Sequence, residues 1–444
     1  MLDVPIVASF RELLYCFLGC FTAPSFDTFY TLMGGWVLNL GRHSVTSTVR
    51  AAGAVGWKHI SSFHRFFSQA RWSRDELGLV LVRLVTPLVP KDAPVVAVVD
   101  DTLGRHTGKP IAAASMHRDP LLSTASKPRF HWGHLWVVLG ITIVAFDKTW
   151  CLPVLVRLYR SRKRCQAEQR EHRTRQELAG ELIALLAKAL SGRTIVVAGD
   201  GEYTNQSVIK PRPSNVTIVG RSRLDAAIYE PPPARRPGQM GRPRVRGAKL
   251  PSPQLQAADP KANWQEVEVS VYRHRATVRL LVIDALWYVV GGSERFRLLL
   301  VRGFPGHERD DVFVSTDDTM SPQTLVETYA RRWSLEVTFH DAKGKFGFED
   351  PQNRAERAVE RTAPMALWCY TLVVVGYVTV GRRTQAARRN HVMPWHPKQL
   401  PAFSDMLATL RRATWSERLF DPRGNDTTFR KRVAPLIAYL DACA

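Results

Sequence analysis

The sequence has few cysteines, no apolar run long enough to cross a bilayer, and few acidic residues for its number of bases. Its six cysteines are scattered over 444 residues, which argues against a disulfide framework or zinc knuckle and favours a reducing cytoplasm. Apolar runs begin at Leu135 and Met365, and both fall short of the roughly 20 residues that a membrane helix needs. They predict a buried strand and a core helix, so no membrane partner is expected. The first 20 residues lack the pattern of a signal peptide.

The shortage of acids leaves a large positive charge. The chain has 62 Lys and Arg against 40 Asp and Glu, a formal net charge of +22, and Arg outnumbers Lys by about three to one. Guanidinium groups suit bidentate phosphate contacts, so a polyanion is the expected partner and nucleic acid the simplest one. Because 45% of the residues are hydrophobic, the chain should fold, into two or three domains.

The pattern of apolar residues changes along the chain. Residues up to about Pro90 favour helices, and 42–73 resemble two short helices around a turn at Gly56, the outline of a helix-turn-helix. From Ala93 onwards, buried strands alternate with a basic helix over Arg160 to Leu190, which indicates an α/β sheet. Four alternating, β-branched segments between 264 and 318 predict an antiparallel β-rich insertion.

A segment rich in Pro, Gly and Arg precedes these strands and predicts a loop over 230–256. Its Gly-Arg-Pro-Arg core includes Arg242 and Arg244 and resembles an AT-hook, whose arginines enter a narrow minor groove. A chance match in an Arg-rich loop is the alternative reading.

Two predicted strands stop at carboxylates: the first at Asp100 and Asp101, the second just before Asp200. Such positions can present oxygen ligands to a divalent cation at a sheet edge, although each Asp alone could also cap a turn.

A helix predicted over 321–347 carries Tyr329, Arg332, Glu336 and Lys343. At 100° per residue these four side chains fall within an arc of about 60° and form one polar stripe between apolar flanks. An intrahelical ion pair would explain Arg332 with Glu336, but it would leave Tyr329 and Lys343 unexplained.

With Tyr329-x2-Arg332-x3-Glu336-x6-Lys343 the chain resembles bacterial insertion-sequence transposases with an RNase H-like DDE domain and a YREK signature, of the insertion sequence 4 and insertion sequence 701 branches. The resemblance runs from about Arg65 to Tyr377 and includes Asp-Asp-Thr at 100–102, Trp-Gly-His at 132–134 and the Asp200 segment.

The resemblance implies a catalytic and metal-binding triad of Asp101, Asp200 and Glu336. Asp101 is preferred for the first position because the first Asp in similar families is usually followed directly by Ser or Thr, as Thr102 follows here. Asp100 is the runner-up. Two Mg²⁺ per site are implied, with Mn²⁺ as a substitute. Glu202 and Asp341 are acidic rivals of the triad.

The resemblance also implies DNA contacts. Tyr329, Arg332 and Lys343 would contact phosphates near the cleaved end, and an insertion tryptophan, Trp287 or Trp264, would stack on a flipped base in relatives that form hairpin ends. An aromatic core residue is the ordinary alternative for both tryptophans.

The expected fold is an α/β, RNase H-like core with a β-rich insertion between the second Asp and the Glu, flanked by helical N- and C-terminal regions. The expected domains are a helical DNA-binding domain (1–90), the first part of the core (91–205), the insertion (206–320), the second part of the core with the Glu helix (321–385) and a basic helical region (386–444).

The expected function is Mg²⁺-dependent cleavage of transposon ends and transfer of the 3′-OH into target DNA. The partners would be double-stranded terminal repeats and target DNA, with a homodimer assembled on the ends, in the bacterial cytoplasm near the nucleoid. The alternatives are a metal-dependent nuclease that cuts without joining and a transposase-derived DNA-binding protein without catalysis.

Overall fold

A computed structural model describes residues 4–108, 111–119, 122–124, 126–235, 240–380, 392–393, 396–397 and 400–419. The predicted basic stretch at 381–390 and most of the predicted region 386–444 lie outside the described residues, as does Cys443.

Five strands form the centre of the molecule. They are β1 (Val95–Arg105), β3 (Phe130–Ala145), β4 (Lys148–Tyr159), β5 (Ile195–Ala198) and β6 (Val216–Ser222). The hairpin of β3 and β4 lies antiparallel beside β1, and β5 and β6 follow in parallel on the other side, in the order β4-β3-β1-β5-β6. This mixed sheet is consistent with an RNase H-like DDE domain. A short strand β2 (Ser115–Arg118) pairs with the start of β3.

The predicted β-rich insertion extends this same sheet. Its strands are β7 (Gln265–Val271), β8 (His274–Leu286), β9 (Arg295–Arg302) and β10 (Asp311–Ser315). They pair antiparallel in the order β10-β9-β8-β7, and β10 joins β6. The alternation of apolar residues therefore predicted the antiparallel strands correctly. The domain boundaries stay a prediction, although β6, inside the range expected for the insertion, pairs with core strand β5.

Helices precede, separate and follow these strands along the described part of the chain. The N-terminal helices are α1 (Val4–Tyr15), α2 (Ala23–Leu38), α3 (Val45–Ala51), α4 (Ile60–Ser68) and α5 (Arg74–Val85). Helices α6 (Arg162–Ala167) and α7 (Arg175–Ala189) follow β4, and α8 (Gln206–Ile209), α9 (Pro253–Ala258) and α10 (Tyr288–Gly291) are short. The later helices are α11 (Pro322–Ala330), α12 (Trp333–Phe346), α13 (Glu356–Thr362), α14 (Pro364–Thr379) and α15 (Phe403–Leu419). A two-residue pair, β11 (Val392–Met393) with β12 (His396–Pro397), precedes α15.

Helix α14 is the apolar run from Met365, and it packs between the N-terminal helices and the sheet. Together with α13 it makes a helical stretch of 24 residues, Glu356–Thr379, the one stretch among the described residues that is long and apolar enough to cross a membrane. The length argument made from the sequence was therefore wrong, because the helix is longer than the apolar run. Burial agrees with the predicted core helix: 89% of the most apolar window lies inside the protein.

The structure corrects three element boundaries. Strand β1 continues past Asp100 and Asp101 to Arg105, because β3 pairs with it along that whole length. The predicted basic helix is two helices, since Thr174 and Glu177 form a capping box that starts α7 anew. The predicted helix over 321–347 is also two: around Arg331 and Arg332 the backbone hydrogen bonds shift from i+4 to i+3, which separates α11 from α12.

Candidate active site

The Asp doublet in β1 points two ways. Successive side chains of a strand lie on opposite faces of a sheet, so Asp100 and Asp101 face different layers of helices. The contacts of neighbouring residues agree with this. Gly104, on the same face as Asp100, lies against Phe348, just beyond α12. Val99, on the same face as Asp101, lies 3.3 Å from where a Cβ on Gly199 would be, beside Tyr203. Asp100 therefore faces the α12 side and Asp101 faces the Tyr203 side.

On the α12 side, one arginine joins two of the predicted acids. Nη1 of Arg332 lies 2.7 Å from Oδ2 of Asp100 and 2.6 Å from Oε1 of Glu336. The two acids come from β1 and α12, more than 230 residues apart in sequence. Burial and the two carboxylates have opposite effects on Arg332, and the net result is a raised pKa of its guanidinium.

On the opposite side, a second arginine joins another pair of acids. Nη1 of Arg175 donates to Oδ2 of Asp101 at 2.8 Å, and Nη2 lies 2.6 Å from Glu202. The hydroxyl of Tyr203 donates to the same Oδ2 of Asp101 at 2.8 Å. The rival acid Glu202 is thus paired with Arg175.

Asp200 lies in a tight turn directly after β5. Its Oδ1 accepts backbone hydrogen bonds from Glu202 at 2.9 Å and Tyr203 at 3.3 Å. Strands β1 and β5 run parallel in register, ending at Val98 opposite Ala198. Continued by two residues, that register brings Asp200 level with Asp100, and Asp200 lines the same cleft as Arg332, the partner of Asp100.

Burial dominates the electrostatics of the doublet. Desolvation raises the pKa of Asp100 to about 7, although Arg332 opposes this rise; the carboxylates of Asp101 and Asp200 add to it. Desolvation also raises the pKa of Asp101, against the opposing effects of Arg175 and Tyr203. A site that holds several carboxylates so close together favours a bound cation.

A cleft of about 920 Å³ opens beside these acids. Asp200, Tyr329 and Arg332 line it on one side, and Trp287 lines it on the insertion side. Arg221, at the end of β6, also lines the cleft and is paired with the buried carboxylate of Asp311, whose other oxygen contacts His307. The cleft thus offers guanidinium groups and one indole beside an acidic centre.

The other two residues of the predicted stripe have different neighbours, because the break between α11 and α12 separates Tyr329 from Glu336 and Lys343 lies seven residues after Glu336 on α12. The ring of Tyr329 is buried and stacks on Phe313 with centroids 4.1 Å apart. Nζ of Lys343 donates to the Leu103 carbonyl at 2.7 Å and lies 3.4 Å from Glu349, near the end of β1. Of the four stripe residues, Arg332 and Glu336 therefore form an ion pair with each other, while Tyr329 and Lys343 bind other parts of the protein.

Other predicted positions lie elsewhere. Arg242 and Arg244 are exposed in the Pro/Gly loop. Trp264 is covered by the guanidinium groups of Arg279 and Arg302, so it is less available for stacking than Trp287. Asp341 is half-buried; burial raises its pKa, and Lys148 and His340 oppose that rise.

The sequence interpretation missed three residues: Arg175, Tyr203 and Arg221. Tyr203 follows Asp200 by three residues, a spacing that could have placed it in the same turn. Arg175 follows the capping Thr174, which would have marked it as the first residue of a helix. Nothing in the sequence around Arg221 marks it, because its position depends on the pairing of β6 with β10.

Among the described residues, no three histidine, cysteine, aspartate or glutamate side chains are gathered as a ready metal site. Asp100 and Glu336 nevertheless converge on one cationic atom, Nη1 of Arg332, and Asp200 lies level with Asp100. Carboxylate oxygens are the ligands that Mg²⁺ and Mn²⁺ prefer, so this donor set fits a divalent cation at the place now held by the guanidinium.

Comparison with known proteins agrees with this chemistry. The family described as "DDE superfamily endonuclease" matches residues 16–282, more than half of the chain. The matched range contains Asp100, Asp101 and Asp200 and ends before Glu336. The search of curated proteins found no match. Enzymes of this family generally use divalent metals and act on DNA. The chain belongs to the DDE superfamily endonuclease family.

Proposed function

We propose that the protein is the DNA transposase of an insertion sequence of the insertion sequence 4 or 701 type, cleaving at transposon ends and joining the freed 3′-OH to target DNA. The observation that carries the proposal is the pairing of Asp100 and Glu336 with Arg332, which lines one cleft together with Asp200. Family membership supplies the nuclease class. The insertion-sequence branch and the joining step rest on the YREK spacing.

In this proposal Asp200, Glu336 and one Asp of the doublet hold two Mg²⁺ ions. The contacts favour Asp100 as the third ligand, because it shares Arg332 with Glu336 and Arg332 lines the same cleft as Asp200. Oδ2 of Asp101, by contrast, already accepts two hydrogen bonds. The sequence had favoured Asp101, because Thr102 follows it directly. When bound, the metal ions would activate the attacking oxygen and stabilise the leaving 3′-oxygen.

The chain's own residues orient the DNA. If its carboxylate partners held a cation, Arg332 would be able to turn towards a phosphate, and Arg221 presents a second guanidinium in the same cleft. Trp287 offers a stacking face at the far wall, suited to an unpaired base. Tyr329 lines the cleft with a ring that stacks on Phe313, and the predicted phosphate contacts of Tyr329 and Lys343 stay predictions.

The test is cleavage of a plasmid that carries the inverted repeats flanking the gene, in Mg²⁺. Asp200→Asn, Glu336→Gln and Asp100→Asn should each lower cleavage by about a hundredfold or more, because each removes the charge of a ligand and even groups that only orient ligands are worth about tenfold to a hundredfold. Asp225→Asn is the matched control, because Asp225 also lines the cleft but pairs with Arg223 at the surface. Its activity should be unchanged.

The same assay separates the alternatives. A strand-transfer product supports a transposase; cut ends that never join indicate a nuclease. Binding without any cleavage by the unaltered protein would indicate a DNA-binding descendant. Full activity in Asp100→Asn with none in Asp101→Asn would assign the first position to Asp101.

A further inference from the structure

The face of β1 opposite Glu336 carries a second polar cluster that the proposed mechanism does not use. It consists of Asp101, Arg175, Glu202 and Tyr203, which come from β1, the start of α7 and the turn after β5. We infer that Arg175 and Tyr203 are positioning residues that act through Asp101 to hold the Asp200 turn against β1.

The contacts all meet at one carboxylate oxygen. Oδ2 of Asp101 accepts from Tyr203 and from Arg175, each at 2.8 Å. Asp101 is one residue from Asp100, and Tyr203 is three residues from Asp200. Fixing this one oxygen therefore constrains the backbone on which both proposed metal ligands stand.

Each partner is itself held firmly. The side chain of Tyr203 is 1% exposed, so its hydroxyl needs a buried acceptor, and Asp101 provides one. A Cβ on Gly199 would lie 2.8 Å from Cβ of Tyr203, so only glycine lets the ring pack so close to the end of β5. Arg175 is the first residue of α7, whose start is fixed by the capping box of Thr174 and Glu177.

The guanidinium fork of Arg175 completes the arrangement by joining two segments. One nitrogen binds Asp101 in β1, and the other binds Glu202 in the Asp200 turn. Such a bridge requires a planar group with two separate donor nitrogens; the single ammonium of lysine cannot reproduce it. The cluster therefore ties β1, α7 and the turn together directly behind the proposed metal ligands.

This inference rests on the proposed metal site, and its test is Mn²⁺ binding by the full chain, measured by calorimetry without DNA. Groups that orient metal ligands typically change metal affinity by about tenfold to a hundredfold when they are replaced. We expect Tyr203→Phe, Arg175→Lys and Arg175→Gln each to weaken Mn²⁺ binding by at least about tenfold. Excess Mn²⁺ should restore DNA cleavage by Tyr203→Phe, because the ligands remain and only their order is lost.

Two controls separate positioning from general stability. Tyr377→Phe removes the hydroxyl of another tyrosine that is 1% exposed, in α14, and Arg173→Gln removes an arginine that pairs with Glu181 close to the same helix start. Both should bind Mn²⁺ like the unaltered protein. Thermal unfolding of every variant tests whether the protein is folded at the temperature of the titration. If Tyr203→Phe is unfolded there, the Mn²⁺ affinities of the two Arg175 variants decide whether the positioning role holds.

The outcomes distinguish this inference from the proposed function. Unchanged Mn²⁺ affinity in Tyr203→Phe and both Arg175 variants overturns the inference, whether or not the protein cuts DNA. Weakened affinity in these variants, in a protein that cuts no DNA, supports the inference and removes the proposed function. Loss of Mn²⁺ binding in Asp101→Asn alone, with Tyr203→Phe and Arg175→Lys unchanged, would make Asp101 a ligand and overturn the positioning role.

Discussion

At the scale of single residues, His134 shows how burial selects a protonation state. It is 2% exposed. Its Nε2 lies 2.8 Å from the Ala112 carbonyl and its Nδ1 lies 2.8 Å from Nε2 of His106. A carbonyl only accepts, so Nε2 of His134 carries the proton and Nδ1 accepts from His106. Burial, followed by the nearby His106, lowers the pKa of His134 to about 3.

This shift makes stability depend on pH. The pKa of His134 is near 6.5 in the unfolded chain and about 3 in the folded chain. Because the unfolded chain then binds the proton more readily, the stability present above pH 6.5 is lost progressively as the pH falls towards 3. At pH 5 the loss from this one group is about 2 kcal/mol. Urea unfolding at pH 7 and pH 5 should therefore show a smaller acid loss in His134→Gln than in the unaltered protein. Equal losses in the two proteins would contradict the shift. His64→Gln, at an exposed position of α4, is the control.

The scale of whole elements shows why α12 ends where it does. Gly347 closes the helix in the left-handed region with φ +58°. A Cβ there would lie 2.1 Å from Oδ2 of Asp350 and 2.8 Å from Cβ of His43. Since Asp350 also accepts a hydrogen bond from the His43 backbone at 2.7 Å, this end of the Glu336 helix packs directly on the N-terminal helices.

Gly347→Ala should therefore cost more stability than its backbone conformation alone explains. Gly303 also has positive φ, at +78°, but a Cβ there meets nothing within 4 Å. Gly303→Ala should cost about 1–2 kcal/mol for the backbone, and Gly347→Ala about 1–3 kcal/mol more for the clash. The melting temperatures of the two variants give the comparison, and equal shifts would mean that Asp350 and His43 move aside at little cost.

At the scale of the whole molecule, charge separates by location. Acids gather on both faces of β1 and its neighbouring turn, while the chain as a whole carries a net charge of +22. Many arginines are paired with acids locally, as where Arg160 binds Glu168, Glu356 and Glu360, so the net charge of +22 resides on the others. The exposed Arg242 and Arg244 form no ion pair with an acid among the described residues, which keeps them available for phosphate.

DNA binding should consequently be steeply salt-dependent. With six or more phosphates neutralised, affinity for a duplex carrying the flanking inverted repeat should fall by about a thousandfold or more between 50 and 200 mM salt. Replacing both Arg242 and Arg244 by Gln should reduce the slope of log affinity against log salt by about 2. Fluorescence anisotropy at several salt concentrations measures both. An unchanged slope in the double variant would exclude phosphate contacts by this loop, and a flat slope in the unaltered protein would exclude the charge as the source of affinity.

The sequence by itself determined the parts of this protein that depend on local pattern. Continuous apolar runs predicted β1, β3 and β5, and alternation predicted the four strands of the insertion, whereas β2 and β6 were not predicted. Spacing placed Arg332 and Glu336 one turn of helix apart. The order of the acids indicated the DDE family, now shown by its match over residues 16–282. The strands and the helix spacing could be predicted because the period of a helix or strand is a property of a few consecutive residues.

Only the tertiary structure decided how these pieces meet. The break at Arg331 and Arg332 carries no glycine or proline signal; it lets Tyr329 pack on β10 while α12 packs on β4 and β1. The opposite directions of Asp100 and Asp101 have consequences only because Arg332, at the start of α12, contacts Asp100, whereas Arg175 of α7 and Tyr203 contact Asp101. Contacts such as Arg332 with Asp100, or Arg175 with Asp101, join residues far apart in the chain, and no local pattern encodes them.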